Sequence, residues 1–165
     1  MPWTAPSWAP CVIFAWRSCS RANAGRPPVL ETRRILIVEP DYLLRRTVVT
    51  AARSLFDVEI DETSRYENAQ TLVQQNRYHG LILALDEGGD QALNLLQQLR
   101  TGALLPAHDS PVVLMGYDPD RRRAEIIQTL GVQRFVMKPV KVRHILESLV
   151  QMAPLRAART QTVAG

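Results

Sequence analysis

Cysteine is nearly missing from this sequence. Cys11 and Cys19 both fall near the start, and none follows. Two thiols without clustered His give neither a zinc-ligand pattern nor a disulfide framework, and a Cys-free core suits a reducing compartment. Long apolar runs are also lacking, and none approaches the roughly 20 residues of a bilayer-spanning helix. No G-x-x-x-x-G-K-[ST] or G-x-G-x-x-G occurs, so Gly88-Gly89 is not a nucleotide cradle. His79, His108 and His144 are scattered with no i, i+4 pair, which fits surface positions rather than metal ligands. No Ser–His–Asp set stands out.

A strong excess of one charge is absent where it would matter. The chain of 165 residues has a net charge of +4. Four Arg and one Glu lie in residues 1–33 and two Arg in 153–165, which leaves residues 34–152 at −1. Basic ends around a nearly neutral centre give no electrostatic footprint for a nucleic-acid groove. Arg121-Arg122-Arg123 stands beside Asp118, Asp120 and Glu125 and reads as a solvated helical face.

Residues 1–33 hold all three Trp and show no helical or strand period. A signal peptide is disfavoured there, because no basic leader precedes the short apolar run Cys11–Trp16 and Arg17 ends it. We expect disorder or an upstream start assignment for 1–33, a folded domain over 34–152, and a disordered tail over 153–165.

From Arg34 the pattern is regular. ILIV (35–38) is a β-branched run that ends at Glu39-Pro40-Asp41, and Leu44, Val48, Ala52 and Leu55 then share a helical face. Val58 and Ile60 alternate with acids as a second strand. The spacing Ser64–Glu67 predicts a capping box ahead of a helix burying Ala69, Leu72, Val73 and Asn76. LILAL (81–85), apolar throughout, predicts a strand buried on both faces, and Ala92, Leu93, Leu96 and Leu99 mark the next helix. VVLM (112–115) is a fourth strand. Asp118-Pro119 predicts an N-cap followed by Pro at the first helical position, with the helix stopping at Gly131. RFVM (134–137) is a fifth strand, and Val142, Ile145, Leu146 and Leu149 line a last helix. The sum is (βα)₅: a doubly wound parallel sheet covered on both faces. Its site is expected at the carboxyl ends of the strands.

The ordered segments RILIVEPDYLLRR, YHGLILALDEGGDQALNLLQQLR, SPVVLMGY and GVQRFVMKPV resemble the receiver domain of bacterial two-component response regulators over roughly Arg33 to Met152. The most specific is the last, a strand ending in Lys138-Pro139 after a Gly-led turn and the aromatic Phe135. The resemblance implies a flavodoxin-like five-stranded parallel sheet of order 2-1-3-4-5. It also implies a phosphoryl group received from a sensor kinase's histidine. That chemistry needs a carboxylate nucleophile at the third strand's end, first-strand acids for Mg²⁺, a hydroxyl on the fourth strand, and a Lys on the fifth.

This sequence keeps only part of that set. Without a gap, the acceptor position falls on Ala84, whose methyl group has no oxygen. Glu39 remains, Pro40 replaces the second acid and Asp41 follows it. The hydroxyl position falls on Gly116, while Lys138 and Pro139 are intact. Glu39 and Lys138 are therefore expected to form one ion pair. A rival register extends the third strand by two residues and turns Asp86 toward the side of Ala84. Asp86 then becomes the acceptor, with Glu39 and Asp41 assisting Mg²⁺; the bland reading of Asp86 is a turn residue or an acid near a helix start.

These readings favour a stand-alone, degenerate receiver in the cytoplasm. It is not expected to be an enzyme, to need a cofactor, to bind DNA directly or to contact membrane. Its partners are expected to be proteins, a sensor kinase or an output protein, or a second copy of itself. The partner face implied by the resemblance spans Arg121–Val150 and includes Arg121, Phe135 and Val142. The alternative is a phosphoryl-accepting regulator that uses Asp86 with Mg²⁺.

Overall fold

The computed structural model describes residues 32–85, 90–104 and 109–152. Five strands alternate with five helices: β1 (Arg33–Val38), α1 (Tyr42–Leu55), β2 (Val58–Thr63), α2 (Tyr66–Gln75), β3 (Gly80–Leu85), α3 (Gln91–Arg100), β4 (Val112–Gly116), α4 (Arg121–Thr129), β5 (Arg134–Met137) and α5 (Val142–Met152). The strands form one sheet in the order β2-β1-β3-β4-β5, every neighbouring pair parallel. This is the flavodoxin-like arrangement, with sequence order broken where β1 lies between β2 and β3.

The period of two along each strand divides the core into two layers. Leu36, Val38, Leu81, Leu83, Leu85 and Leu114 pack with α2 and α3. Ile35, Ile37, Ile82, Val113, Met115 and Val136 face the other way, toward Val48, Val49 and Ala52 of α1 and Ile145 and Leu149 of α5. Central β3 is buried along its whole length, which accounts for its unbroken apolar run. Among the described residues no helix is long and apolar enough to cross a membrane.

Three local expectations are corrected. Ser64 does not open a capping box. β2 runs on to Thr63, whose hydroxyl accepts from the Arg65 amide at 3.2 Å, so α2 starts only at Tyr66. The α4 cap is Asp120 rather than Asp118. Both acids fit the pattern, but it is the Asp120 side chain that accepts from the Arg123 amide, at 2.8 Å. Leu55 is half exposed because α1 ends there, and Phe56 and Val58 take over its place against the core. Gly131 does follow α4 with φ of +63°, the left-handed conformation that suits glycine after a helix.

Candidate functional site

Glu39 continues β1 by one residue. Its amide donates to the Thr63 carbonyl at 3.1 Å, extending the ladder to β2. Side chains alternate along a strand, so Glu39 falls on the same side as Ile35 and Ile37, and Ala84 on the same side as Ile82. Both therefore belong to the α1/α5 side at the carboxyl edge of the sheet. Lys138 leaves β5 beside them, with its amide bonded to the Gly116 carbonyl at 2.7 Å and a cis peptide joining it to Pro139.

At this edge the Lys138 ammonium lies 3.1 Å from each oxygen of the Glu39 carboxylate, and the contact to Oε1 has hydrogen-bond geometry. Glu39 Oε1 also accepts the Asp41 amide at 3.0 Å. The carboxylate is 1% exposed and the Lys138 side chain 12%. This is the ion pair expected from the sequence, and it joins β1 to β5 across the sheet. Water is largely excluded, so the attraction is weakly screened. The Glu39 backbone is held as well, because the Arg45 guanidinium donates to its carbonyl. Arg45 and Arg46 in turn flank the Glu62 carboxylate at 3.3 and 2.7 Å.

Ala84 is fully buried and pairs in register with Met115. Its carbonyl accepts a hydrogen bond from the Tyr66 hydroxyl. Gly116 is closely packed: a Cβ there would lie 2.7 Å from the Leu85 carbonyl oxygen and 3.0 Å from Leu85 Cβ. The fourth-strand position thus lacks a hydroxyl and also lacks room for one. Pro40 is exposed and offers no side-chain donor or acceptor. Asp41 is committed to the start of α1, where Oδ1 accepts the Leu44 amide at 2.9 Å. Among the described residues no group of three His, Cys, Asp or Glu side chains is placed to hold a metal ion. Asp86, the alternative acceptor, lies outside the described residues.

The three residues named for the partner face are placed differently from one another. Arg121 is exposed and pairs with Glu125 one helical turn on, at 3.1 Å. Phe135 packs against the α2/α3 layer and Val142 against the α1/α5 layer, both partly buried. Among the described residues, Ile126, Met137 and Val150 are exposed apolar side chains within the Arg121–Val150 span and Tyr117 lies just before it, with Tyr117 and Met137 the most exposed at 54% and 57%. These two lie at the adjoining ends of β4 and β5, where Gly116 pairs with Met137.

Sequence reasoning missed Tyr66 and Leu85. Tyr66 had a usable signal, since it stands three and seven residues before Ala69 and Val73 on the buried stripe of α2. The approach of the Leu85 carbonyl to Gly116 follows from strand register and leaves no trace in composition.

No protein-family model matches the chain, and no curated protein does. Solved structures do. The receiver domain of Francisella response regulator 1452 superposes with a TM-score of 0.62 at 15% identity, covering 73% of this chain and 96% of that one. A response regulator receiver protein from Pseudomonas putida gives 0.62 at 20% identity, covering 74% and 99%. A DNA-binding response regulator of the LuxR family from Staphylococcus aureus gives 0.62 at 20% identity, covering 73% and 98%. The chain has the receiver-domain fold.

Proposed function

We propose that this receiver-fold chain is a signalling module that works through protein contacts without taking up a phosphoryl group. The observation that carries the reading is the buried Glu39–Lys138 pair at the carboxyl edge of the sheet, where buried Ala84 is the last residue but one of the third strand. An acyl phosphate needs a carboxylate oxygen as nucleophile, and Ala84 has none. The charge-neutralising Lys is already satisfied by Glu39. A Mg²⁺ ion needs several oxygen ligands with open lone pairs. Here Glu39 Oε1 accepts from both Lys138 and the Asp41 amide, Glu39 Oε2 makes no hydrogen bond but faces the Lys138 ammonium at 3.1 Å, Asp41 caps α1, and Pro40 contributes no side-chain oxygen. Among the described residues, a lone open carboxylate oxygen already facing a cation does not fit the ion.

The proposed contact surface is the edge built from β4, β5 and the start of α4, with Tyr117 and Met137 as apolar anchors beside Arg121. Exposed aromatic and Met side chains with a neighbouring Arg are the composition enriched at protein interfaces. The partner is a sensor kinase, an output protein or a second copy of the chain. The test is incubation with acetyl phosphate and Mg²⁺ followed by intact-mass measurement. The expected result is an unchanged mass. A phosphoryl adduct that disappears in Asp86→Ala establishes the alternative acceptor and overturns the proposal.

A further inference from the structure

The outer surfaces of α2 and α3 differ from those of the other helices. Their 20 residues include eight Asn or Gln and only two charged side chains, Glu67 and Arg100. α4 alone carries three Arg and a Glu within nine residues. Between α2 and α3 runs a groove of about 190 Å³. Gln91, Asn94 and Gln98 line it from α3, and their i, i+3, i+7 spacing puts them on one helical face. Gln70 faces them from α2, with its Nε2 donating to Gln98 Oε1 at 2.7 Å. Leu95 and Tyr66 complete the lining among the described residues, of which Glu67 is the one that carries a charge.

We propose that this groove binds an uncharged, polyhydroxylated small molecule such as a monosaccharide or an inositol. A carboxamide offers both donors and acceptors, and so does an alcohol, so each amide satisfies a hydroxyl whichever way that hydroxyl turns. Phosphorylated or carboxylated ligands are disfavoured, because the described residues of the lining include no cation and Glu67 repels anions. The volume is below the roughly 300–1,000 Å³ of drug-sized sites, which selects a small ligand. A second cleft, of about 430 Å³ beside Tyr42, is lined by Arg45 and Arg46. Both guanidiniums there already face Glu62, so that cleft is the weaker candidate.

Tyr66 links the groove to the degenerate pocket. Tyr66 lines the groove, and its hydroxyl donates to the Ala84 carbonyl at the end of β3. A ligand that shifts the ring therefore moves the strand end at which receivers are ordinarily modified. The proposal is independent of how the pocket treats phosphate.

The experiment is amide-resolved NMR of the full chain titrated with glucose, galactose and myo-inositol, and in parallel with glucose 6-phosphate. At least one neutral polyol should give saturable shifts of the Gln70, Asn94 and Gln98 side-chain amides at millimolar concentration, together with a shift of the Ala84 or Leu85 backbone amide. Asn94→Leu, at an exposed position, should weaken binding about tenfold, the equivalent of one lost hydrogen bond of about 1.4 kcal/mol. Tyr66→Phe should keep the groove shifts and lose the response at Ala84. Absence of saturation by all three polyols, tighter binding of the phosphate ester, or unaltered binding by Asn94→Leu overturns the site. An Ala84 response that survives in Tyr66→Phe overturns the link.

Discussion

Replacing Lys138 by methionine leaves the Glu39 carboxylate almost wholly buried with its charge uncompensated. The hydrocarbon stem is kept, so the change isolates the ammonium. Removing one partner of a buried ion pair costs about 3–5 kcal/mol. Lys138 retains 12% exposure and Glu39 keeps the Asp41 amide, which brings the expected loss to the bottom of that range or just under it, at about 2–3 kcal/mol. For a domain of this size that lowers the thermal midpoint by roughly 10 °C. With a urea m-value of about 2 kcal/mol/M, the midpoint falls by about 1–1.5 M and the slope is unchanged. Lys138→Glu should cost more, because two carboxylates then share the site. The double variant Glu39→Leu/Lys138→Met removes both charges and should lie within about 1 kcal/mol of the native protein, giving a coupling of at least about 1 kcal/mol in the cycle. The loss should persist in high salt, as expected for a pair shielded from solvent. A Lys138→Met protein within about 0.5 kcal/mol of the native one, or a double variant weaker than the sum of the singles, refutes the reasoning.

Gly116→Thr drives a Cβ against the Leu85 carbonyl oxygen and should destabilise by about 1–3 kcal/mol in thermal unfolding, through strain in a packed strand pair. Tyr66→Phe strands a buried carbonyl at Ala84 and should cost about 1–3 kcal/mol in the same measurement. The Tyr78 phenol is pushed well above its ordinary range, first by burial and then by its 2.6 Å hydrogen bond to Asp61. A folded-state value above the unfolded one means that its contribution is complete below about pH 10 and is lost as pH rises beyond that. Alkaline unfolding, followed by circular dichroism, should therefore be steeper in the native protein than in Tyr78→Phe.

Most of the fold is written in side-chain periodicity, and particular elements show why. The unbroken run Leu81–Leu85 marks a central strand, because only a strand covered on both faces tolerates apolar residues at every position. The alternation in β2 marks a sheet edge, with Glu59 and Asp61 on the side opposite buried Ile60. Helix starts were less legible. Asp118 and Asp120 are equally good caps by composition, and the choice depends on the loop leaving β4. The pocket was legible where it depended on residue identity at strand ends, as for Ala84, Gly116 and the Glu39–Lys138 pair. It was opaque where a distant group closes on the backbone. The Tyr66 hydroxyl reaches Ala84 from 18 residues away, and nothing local to either residue announces that contact. Phe135 and Val142 look alike in sequence as candidates for one face, but strand and helix geometry direct them into opposite core layers.

The most direct test of a closed, unreactive pocket is amide-resolved NMR with Mg²⁺ followed by beryllofluoride, which stands in for an aspartyl phosphate. The account predicts no saturable shift at Glu39, Ala84, Gly116 or Lys138 on either addition. Saturable shifts at these amides that require Mg²⁺ and vanish in Asp86→Ala would contradict it.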